Sequence, residues 1–397
     1  MDQSRDFLTI FYNGCFLPVS NGGNARVADL LDRLQHEFSR IILYGYADHP
    51  DYPWTAAARA AFGELWPAVE LVLENRGVVL GQVTRIKNLL LALVPEAWAG
   101  RLLRWTLPGA TPAWRDVQRR SGAFLVSYTE GLTQVNGIEA RRCLVETHDV
   151  NFLKWSKLRA RRPVSLTALR KLRGEMTALG ATRGLVAISA GEASVFRMMV
   201  PRPVAFVPCW SAGKSGAPSR AAVADYDLVF VGSAYAMNVR GFCALIEQHG
   251  TWLSAYRIAV CGQVGDDPAV KRVCAPYANV ALLGFVESMD DIYGRCRAAL
   301  SPVDGTGTKM KVLAALAAGL PVFASAQSCE GLPPGHEGAV FPISADAVAA
   351  LLGSEARLRD ACARVRSYDA GLRRAGESDA ALTLLRDLVP GNQPSGT

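Results

Sequence analysis

The sequence contains no Cys-x-x-Cys pair. Its nine cysteines stand singly at Cys15, Cys143, Cys209, Cys243, Cys261, Cys274, Cys296, Cys329 and Cys362. The count is odd, and several lie inside apolar runs such as RIAVCG. That excludes a disulfide scaffold and a cysteine-bound zinc site, and the residues read as small core side chains in a reducing compartment. Long uncharged apolar runs are missing as well. The most apolar stretch, NLLLALVPEAWAGRLLRWTL, is broken by Pro95, Glu96, Arg101 and Arg104, so it is not a membrane span. No signal peptide is legible: Asp2, Arg5 and Asp6 stand at the start, and FLTIFY is short and strand-like. The expected location is therefore cytoplasmic. Low-complexity tracts are absent, which points to a folded globular protein.

The 397 residues suffice for two ordinary domains, and half of them are hydrophobic. Forty-three basic against 36 acidic residues leave a net charge of +7. Such a balance suits anionic partners, whether nucleotides, phosphates or anionic lipid. No nucleic-acid-binding module is recognisable, so nucleic acid is not expected as a partner.

Short apolar runs alternate with helical patterns along the whole chain. FLTIFY, RIILYGY, GAFLVSY, RCLVETHD and RGLVAIS read as strands in the first half, and YDLVFVGS, YRIAVCG, NVALLGF, AALSPV and PVFAS in the second. Helical segments such as ARVADLLDRLQHEF and NVRGFCALIEQH lie between them. The pattern predicts parallel βαβ units, hence an α/β protein of two doubly wound Rossmann-like domains facing a central cleft. The boundaries fall at residues 1–206 and 227–375, with a Gly, Ser and Ala-rich linker at 207–226 and a C-terminal helix and frayed tail at 376–397.

Several stretches can carry chemistry. DGTGTKMKVLAALAAGLPV starts at the end of a predicted strand and runs into a helix. Gly305 and Gly307, interleaved with Thr306 and Thr308, permit close backbone approach to a ligand. The helix start and the charges of Lys309 and Lys311 suit a phosphate or diphosphate. The spacing is not that of a Walker A loop. In VGSAYAMNVRG, Gly232 and Ser233 also follow a strand, and Arg240 with Gly241 opens the next helical region, a second anion contact. SNGGNAR places Gly22 and Gly23 between the first strand and the first helix, without the GxGxxG spacing of a dinucleotide site. ETHDVN sets His148 and Asp149 just after a strand, where they can hydrogen-bond a substrate hydroxyl or serve as a base. Glu330, followed by Gly331, lies after PVFAS, where a carboxylate can accept from sugar or ribose hydroxyls. The DYD at Asp225–Asp227 matches a metal-binding DxD, but it enters a strand rather than leaving one.

Taken in order, LVFVGS, NVRG, RIAVCG, the stretch from NVALLGF to PVFAS, and CEGL resemble the retaining nucleotide-sugar glycosyltransferases of GT-B fold, family four. The resemblance covers Asp227 to about Phe341 well and the first half thinly. It implies an acceptor-binding first domain and a second domain that holds a nucleotide-diphosphate sugar. Arg240 and Lys309 would contact the diphosphate, Gly232 and Ser233 would lie along it, and Glu330 would sit near ribose or sugar. Gly22 and Gly23 would close over the phosphates, and His148 would face sugar and acceptor. No metal or other cofactor is implied. The family carries two glutamates eight positions apart around this helix, and here Thr306 and Ala314 stand in their places. That leaves open a catalytically silent binding subunit, and a nucleotide-sugar epimerase shares the fold.

The acceptor is hinted at elsewhere. Residues 84–120 hold seven basic and two acidic residues with Trp98, Trp105 and Trp114 among leucines, and KWSKLRARRPVSLTALRKLR holds eight basic residues and no acid. Basic, aromatic amphipathic helices lie on anionic membrane surfaces. A glycan or lipid-linked acceptor, surface polysaccharide assembly and a peripheral place on the inner face of the plasma membrane are the matching expectations.

Overall fold

The computed structural model describes residues 5–19, 22–106, 111–153, 165–208, 224–286, 288–303, 309–389 and 391–392. The chain divides into two compact units, Met1–Val19 with Gly23–Ser211 and Gly376–Thr397, and Ser20–Gly22 with Ala212–Ala375. Most of the expected linker, from 209 to 223, lies outside the described residues.

The first unit is built on β1 (Phe7–Phe11), β2 (Ile41–Tyr46), β3 (Val69–Glu74), β4 (Ser121–Ser127), β5 (Cys143–Thr147), β6 (Gly184–Ala187) and β7 (Val204–Phe206). They form one parallel sheet in the order β3-β2-β1-β4-β5-β6-β7. β2, β4 and β5 are buried at every position, as strands covered on both faces must be. Helix α1 (Gly22–Leu34) turns Val27, Leu30, Leu31 and Leu34 toward Leu8, Ile10 and Leu43, with i, i+3, i+4 and i+7 spacing. The remaining helices are α2 (Ala56–Leu65), α3 (Gly77–Leu91), α4 (Glu96–Arg104), α5 (Pro112–Arg120), α6 (Gly131–Gln134), α7 (Leu166–Gly180) and α8 (Ala190–Met199).

The second unit repeats the plan with β8 (Tyr226–Val231), β9 (Ile258–Cys261), β10 (Val280–Gly284), β11 (Cys296–Ser301), β12 (Val322–Ala324) and β13 (Val340–Pro342), parallel in the order β10-β9-β8-β11-β12-β13. Its helices are α9 (Ala236–Leu253), α10 (Pro268–Cys274), α11 (Met289–Gly294), α12 (Met310–Ala317), α13 (Ala326–Cys329), α14 (Ala345–Leu352) and α15 (Glu355–Ala375). Alternation along the strands feeds two cores. Leu228, Phe230, Val260 and Leu300 pack under α9 and α14, while Val229, Ala259, Cys261 and Ala299 pack against α12. The last helix, α16 (Ser378–Arg386), belongs to the first unit, where Ala381, Leu382 and Leu385 join the core around β1.

In each sheet the strand order reverses once, between β1 and β4 and between β8 and β11. Adjacent connections then leave to opposite faces, opening a crevice at the carboxyl ends of those two strands, where doubly wound sheets bind ligands. Of the nine cysteines, the eight described form no disulfide, and only Cys243 and Cys329 among them are half-buried while the rest are buried.

Candidate functional site

The reversal in the second sheet brings together two stretches that lie far apart in sequence. Gly232 and Ser233 leave the end of β8, and Pro302 and Val303 leave the end of β11 just before Lys309 and α12. Gly305, Thr306, Gly307 and Thr308, between them, lie outside the described residues. Lys309 occupies the N-cap position of α12, and no side-chain cap is made there. Lys311 reaches across to the β8 end. Its Nζ donates to Asn238 Oδ1 at 2.7 Å and lies 4.6 Å from the centre of the Phe230 ring. Asn238 is buried, and its Nδ2 donates to Ser233 O at 3.0 Å and Ser233 Oγ at 3.2 Å. One amide side chain thus ties the first turn of α12 to the loop after β8. Burial, and secondarily the charge of Lys309, brings the Lys311 ammonium down to about 7.

Other residues hold this edge from below. Ser325 Oγ and Ser328 Oγ both donate to Val303 O, at 3.1 and 2.9 Å, and Ser301 Oγ lies 3.0 Å from Ser328 Oγ. The β12 end is thereby laced to the β11 end. Glu330 follows α13 on the exposed side, and Gly331 has φ +93°, a left-handed turn that glycine permits. Ala314 is exposed on α12.

Arg240 differs from expectation in position. Helix α9 begins at Ala236, so Arg240 sits one turn inside it, exposed, with its guanidinium against Met237 Sδ. Its neighbour explains the motif. A Cβ at Gly241 would overlap the Pro302 carbonyl oxygen and crowd Val303, so only glycine lets α9 press onto the β11 end. Gly232 is buried, its N–H bonded to Cys261 O at 2.9 Å and its carbonyl to Val264 N at 3.1 Å. Gly241→Ala is therefore expected to force α9 and the 302–303 backbone apart. Overpacking of this kind costs about 1–3 kcal/mol. A urea unfolding curve of the variant against the parent would show this loss.

In the first unit, β5 ends in Glu146 and Thr147, and His148 follows with its side chain 7% exposed. The imidazole stacks on Tyr128 with ring centres 4.0 Å apart and planes 19° apart. Tyr128 holds φ +65°, a strained angle for a tyrosine, and donates its N–H to Glu146 O at 2.9 Å. His148 Nε2 lies 3.4 Å from Glu146 Oε2. The other carboxylate oxygen of Glu146 takes a 2.8 Å bond from Arg26 Nε, and Arg26 Nη2 donates to Val207 O at 2.7 Å. Arg26 and Glu146 are both fully buried. Tyr12 Oη, at the β1 end, donates to Asn24 Oδ1 at 3.0 Å, and burial raises its phenol well above the ordinary value. The backbone after Asp149 is pinned by Glu175, which accepts from Asn151 N at 2.9 Å and Phe152 N at 3.1 Å. Burial pushes that carboxyl up to about 7 despite the two bonds.

Gly22 and Gly23 do not form a loop between strand and helix; they are the first two residues of α1, because the helical hydrogen-bonding extends back to them. Sequence reasoning missed Asn238, Ser325, Ser328, Tyr128, Arg26, Glu146 and Glu175. Their partners lie tens of residues away, and the only local signal was the polar residue at a strand end in the case of Glu146. Trp114, grouped by sequence with exposed aromatics, is buried; its ring packs 4.6 Å from that of Tyr44 and its Nε1 donates to Asn136 O at 2.5 Å. The DYD carboxylates are engaged at the entry to β8, Asp225 with Arg295 and Asp227 with Arg257 and Arg297. Among the described residues no cluster of metal-ligating side chains occurs.

Residues 225–354 match the model of a family described as glycosyl transferases group 1. The chain has the GT-B fold, and residues 225–354 of it are similar to the group 1 glycosyltransferases. Similar solved structures span the whole length. The sucrose-phosphate synthase of Thermosynechococcus elongatus is 16% identical with a TM-score of 0.60, covering 97% of this chain and 98% of that one. HepE of Anabaena, solved with UDP and glucose, is 11% identical with a TM-score of 0.60, covering 98% and 100%. A glycosyltransferase of Rickettsia africae is 12% identical with a TM-score of 0.56, covering 98% and 99%. No curated protein matches the sequence at a significant level. Among the described residues no helix is long and apolar enough to cross a membrane.

Proposed function

We propose that this GT-B glycosyltransferase moves a sugar from a nucleotide diphosphate to a glycan or lipid-linked acceptor in surface polysaccharide or glycoconjugate assembly. The observation that carries the donor side is the pairing at the β8/β11 reversal. There, Lys309 and the start of α12 stand beside a loop held by Lys311 and Asn238. HepE of Anabaena, similar in fold, is described with UDP and glucose, which supports a nucleotide-sugar partner.

In this scheme the bond between the sugar C1 and the diphosphate oxygen breaks as the acceptor oxygen bonds to C1. The acceptor proton passes to the departing diphosphate, and attack comes from the same face, giving retention. Charge growing on the diphosphate is met by Lys309, Arg240, Lys311 and the α12 amides, without a metal ion. Preorganised donors of this kind are each worth about 3 kcal/mol in the transition state. His148 and Asp149 are the groups of the first unit assigned to the acceptor, with Gly22 and Gly23 and the Glu330–Gly331 turn assigned to the donor. The protein would work in the cytoplasm, peripheral on the inner face of the plasma membrane.

UDP, GDP or a related diphosphate is expected to raise the melting temperature in the presence of EDTA, and Lys309→Ala is expected to abolish that rise. No shift with any nucleotide would refute the donor site. Ala314, exposed where the family has a glutamate, favours a second reading as a silent binding subunit. Slow hydrolysis of any nucleotide sugar by the purified protein would rule that out.

A further inference from the structure

Helices α3, α4 and α7 of the first unit pack on one another, and a side chain at Gly174 of α7 would lie in van der Waals contact with Ala92 at the end of α3. Their outer surface is apolar to a degree the rest of the unit is not. Of sixteen large apolar side chains exposed among the described residues, nine fall on these helices and their ends. Along α3 the inward positions are Val83, Thr84, Lys87 and Leu91. The outward row at i, i+4, i+8, i+11 and i+15 is Val78, Gln82, Ile86, Leu89 and Leu93, with Val78 79%, Leu89 63% and Leu93 59% exposed. Helix α7 presents Leu166, Leu169, Arg170 and Arg173 outward at i, i+3, i+4 and i+7, Leu166 being 67% exposed. Trp98 of α4 is 55% exposed beneath the Arg101 guanidinium.

The charge on this surface is mostly positive. Exposed on the three helices are Arg85, Arg101, Arg104, Arg170, Lys171 and Arg173 against a single exposed acid, Glu96. Arg85, Arg170 and Arg173 make no ion pair with any described residue. By contrast, the basic side of α5 is consumed within the unit, Arg120 pairing with Glu70 and Asp116, and Arg119 with Asp116.

We infer that the face formed by α3, α4 and α7 docks on a bilayer rich in anionic lipid, deepening the proposed membrane-side acceptor reading on which it rests. Aliphatic side chains in rows enter the acyl boundary, while arginines on long stems reach phosphate headgroups from the same helices. A protein partner would need a matching acidic surface, and a second copy of this chain would set its own arginines against these. An anionic bilayer satisfies both the apolar rows and the unbalanced charge.

The test uses the full chain with vesicles of phosphatidylcholine, with and without phosphatidylglycerol. Sedimentation is expected to show binding to the anionic vesicles at low salt, at least about tenfold stronger than to neutral ones, and release at high salt. Leu89→Ser with Leu93→Ser, and separately Arg170→Glu with Arg173→Glu, should each reduce binding about tenfold while leaving the nucleotide-induced rise in melting temperature intact. That melting control separates failure of the docking face from failure of the donor site. Binding indifferent to lipid charge, no binding, or a vesicle-free dimer lost in the same variants would overturn the inference.

Discussion

Arg26→Met is expected to destabilise the first unit by about 3–5 kcal/mol, the cost of breaking a buried ion pair by removing one member. Both members of the Arg26–Glu146 pair are fully buried, and the Glu146 carboxylate would lose the Arg26 guanidinium while staying shielded from water. It would protonate or draw in solvent at the end of β5, directly under His148. Arg26 also closes a bond to Val207 O, which would be lost together with the pair. Removing both charges, in Arg26→Met with Glu146→Leu, is expected to recover most of the stability, because an apolar pair of similar volume often matches a buried ion pair. Denaturant unfolding of the two single variants and the double variant measures the coupling. A single variant as stable as the parent would show that the pair is not stabilising as built.

Lys311→Met is expected to weaken nucleotide diphosphate binding about ten- to a hundredfold below neutral pH, the range of one charge-assisted bond of about 1.5–3 kcal/mol. With its ammonium brought down to about 7, Lys311 in the empty site is charged below that pH and neutral above it. An anionic ligand favours the charged form, so affinity should fall as pH rises through 7, with a proton taken up on binding above it. The variant should bind with a flat profile close to the alkaline limit of the parent. Stability of the empty unit runs the other way. The unfolded lysine titrates near 10.5, so between about 7 and 10.5 the unfolded chain binds more protons and folding gains as pH rises. Calorimetric titration with UDP at several pH values decides this, and an affinity that does not change with pH would exclude Lys311 from the anion site.

Central strands were legible because burial on both faces demands uninterrupted apolar runs, as in RIILYGY and GAFLVSY. Three strands escaped. β3, VELVLE at a sheet edge, carries Glu70 and Glu74 and so breaks the apolar run, and β7 and β13 have three residues each, too short for a pattern. The lysines and glycines proposed to meet the donor could be singled out from sequence, since the chemistry that suggests them is local. The clamp that unites them was not, as Asn238 and Lys311 stand 73 positions apart. Trp98 and Trp114 look alike in sequence. One is exposed on α4 and the other is enclosed by Tyr44 and Phe124, a difference that depends on which helix face meets the sheet.

By itself, the amino-acid order determined the alternation of strand and helix, the doubly wound class, and the placing of glycine and cation at strand ends, because those depend on neighbours a few residues away. Only the tertiary structure decided which loops share a crevice, which charges are buried in pairs, and which amphipathic helices keep an apolar face in solvent. Those outcomes depend on strand order and on what packs above each residue. Neither is written in any one segment of the chain.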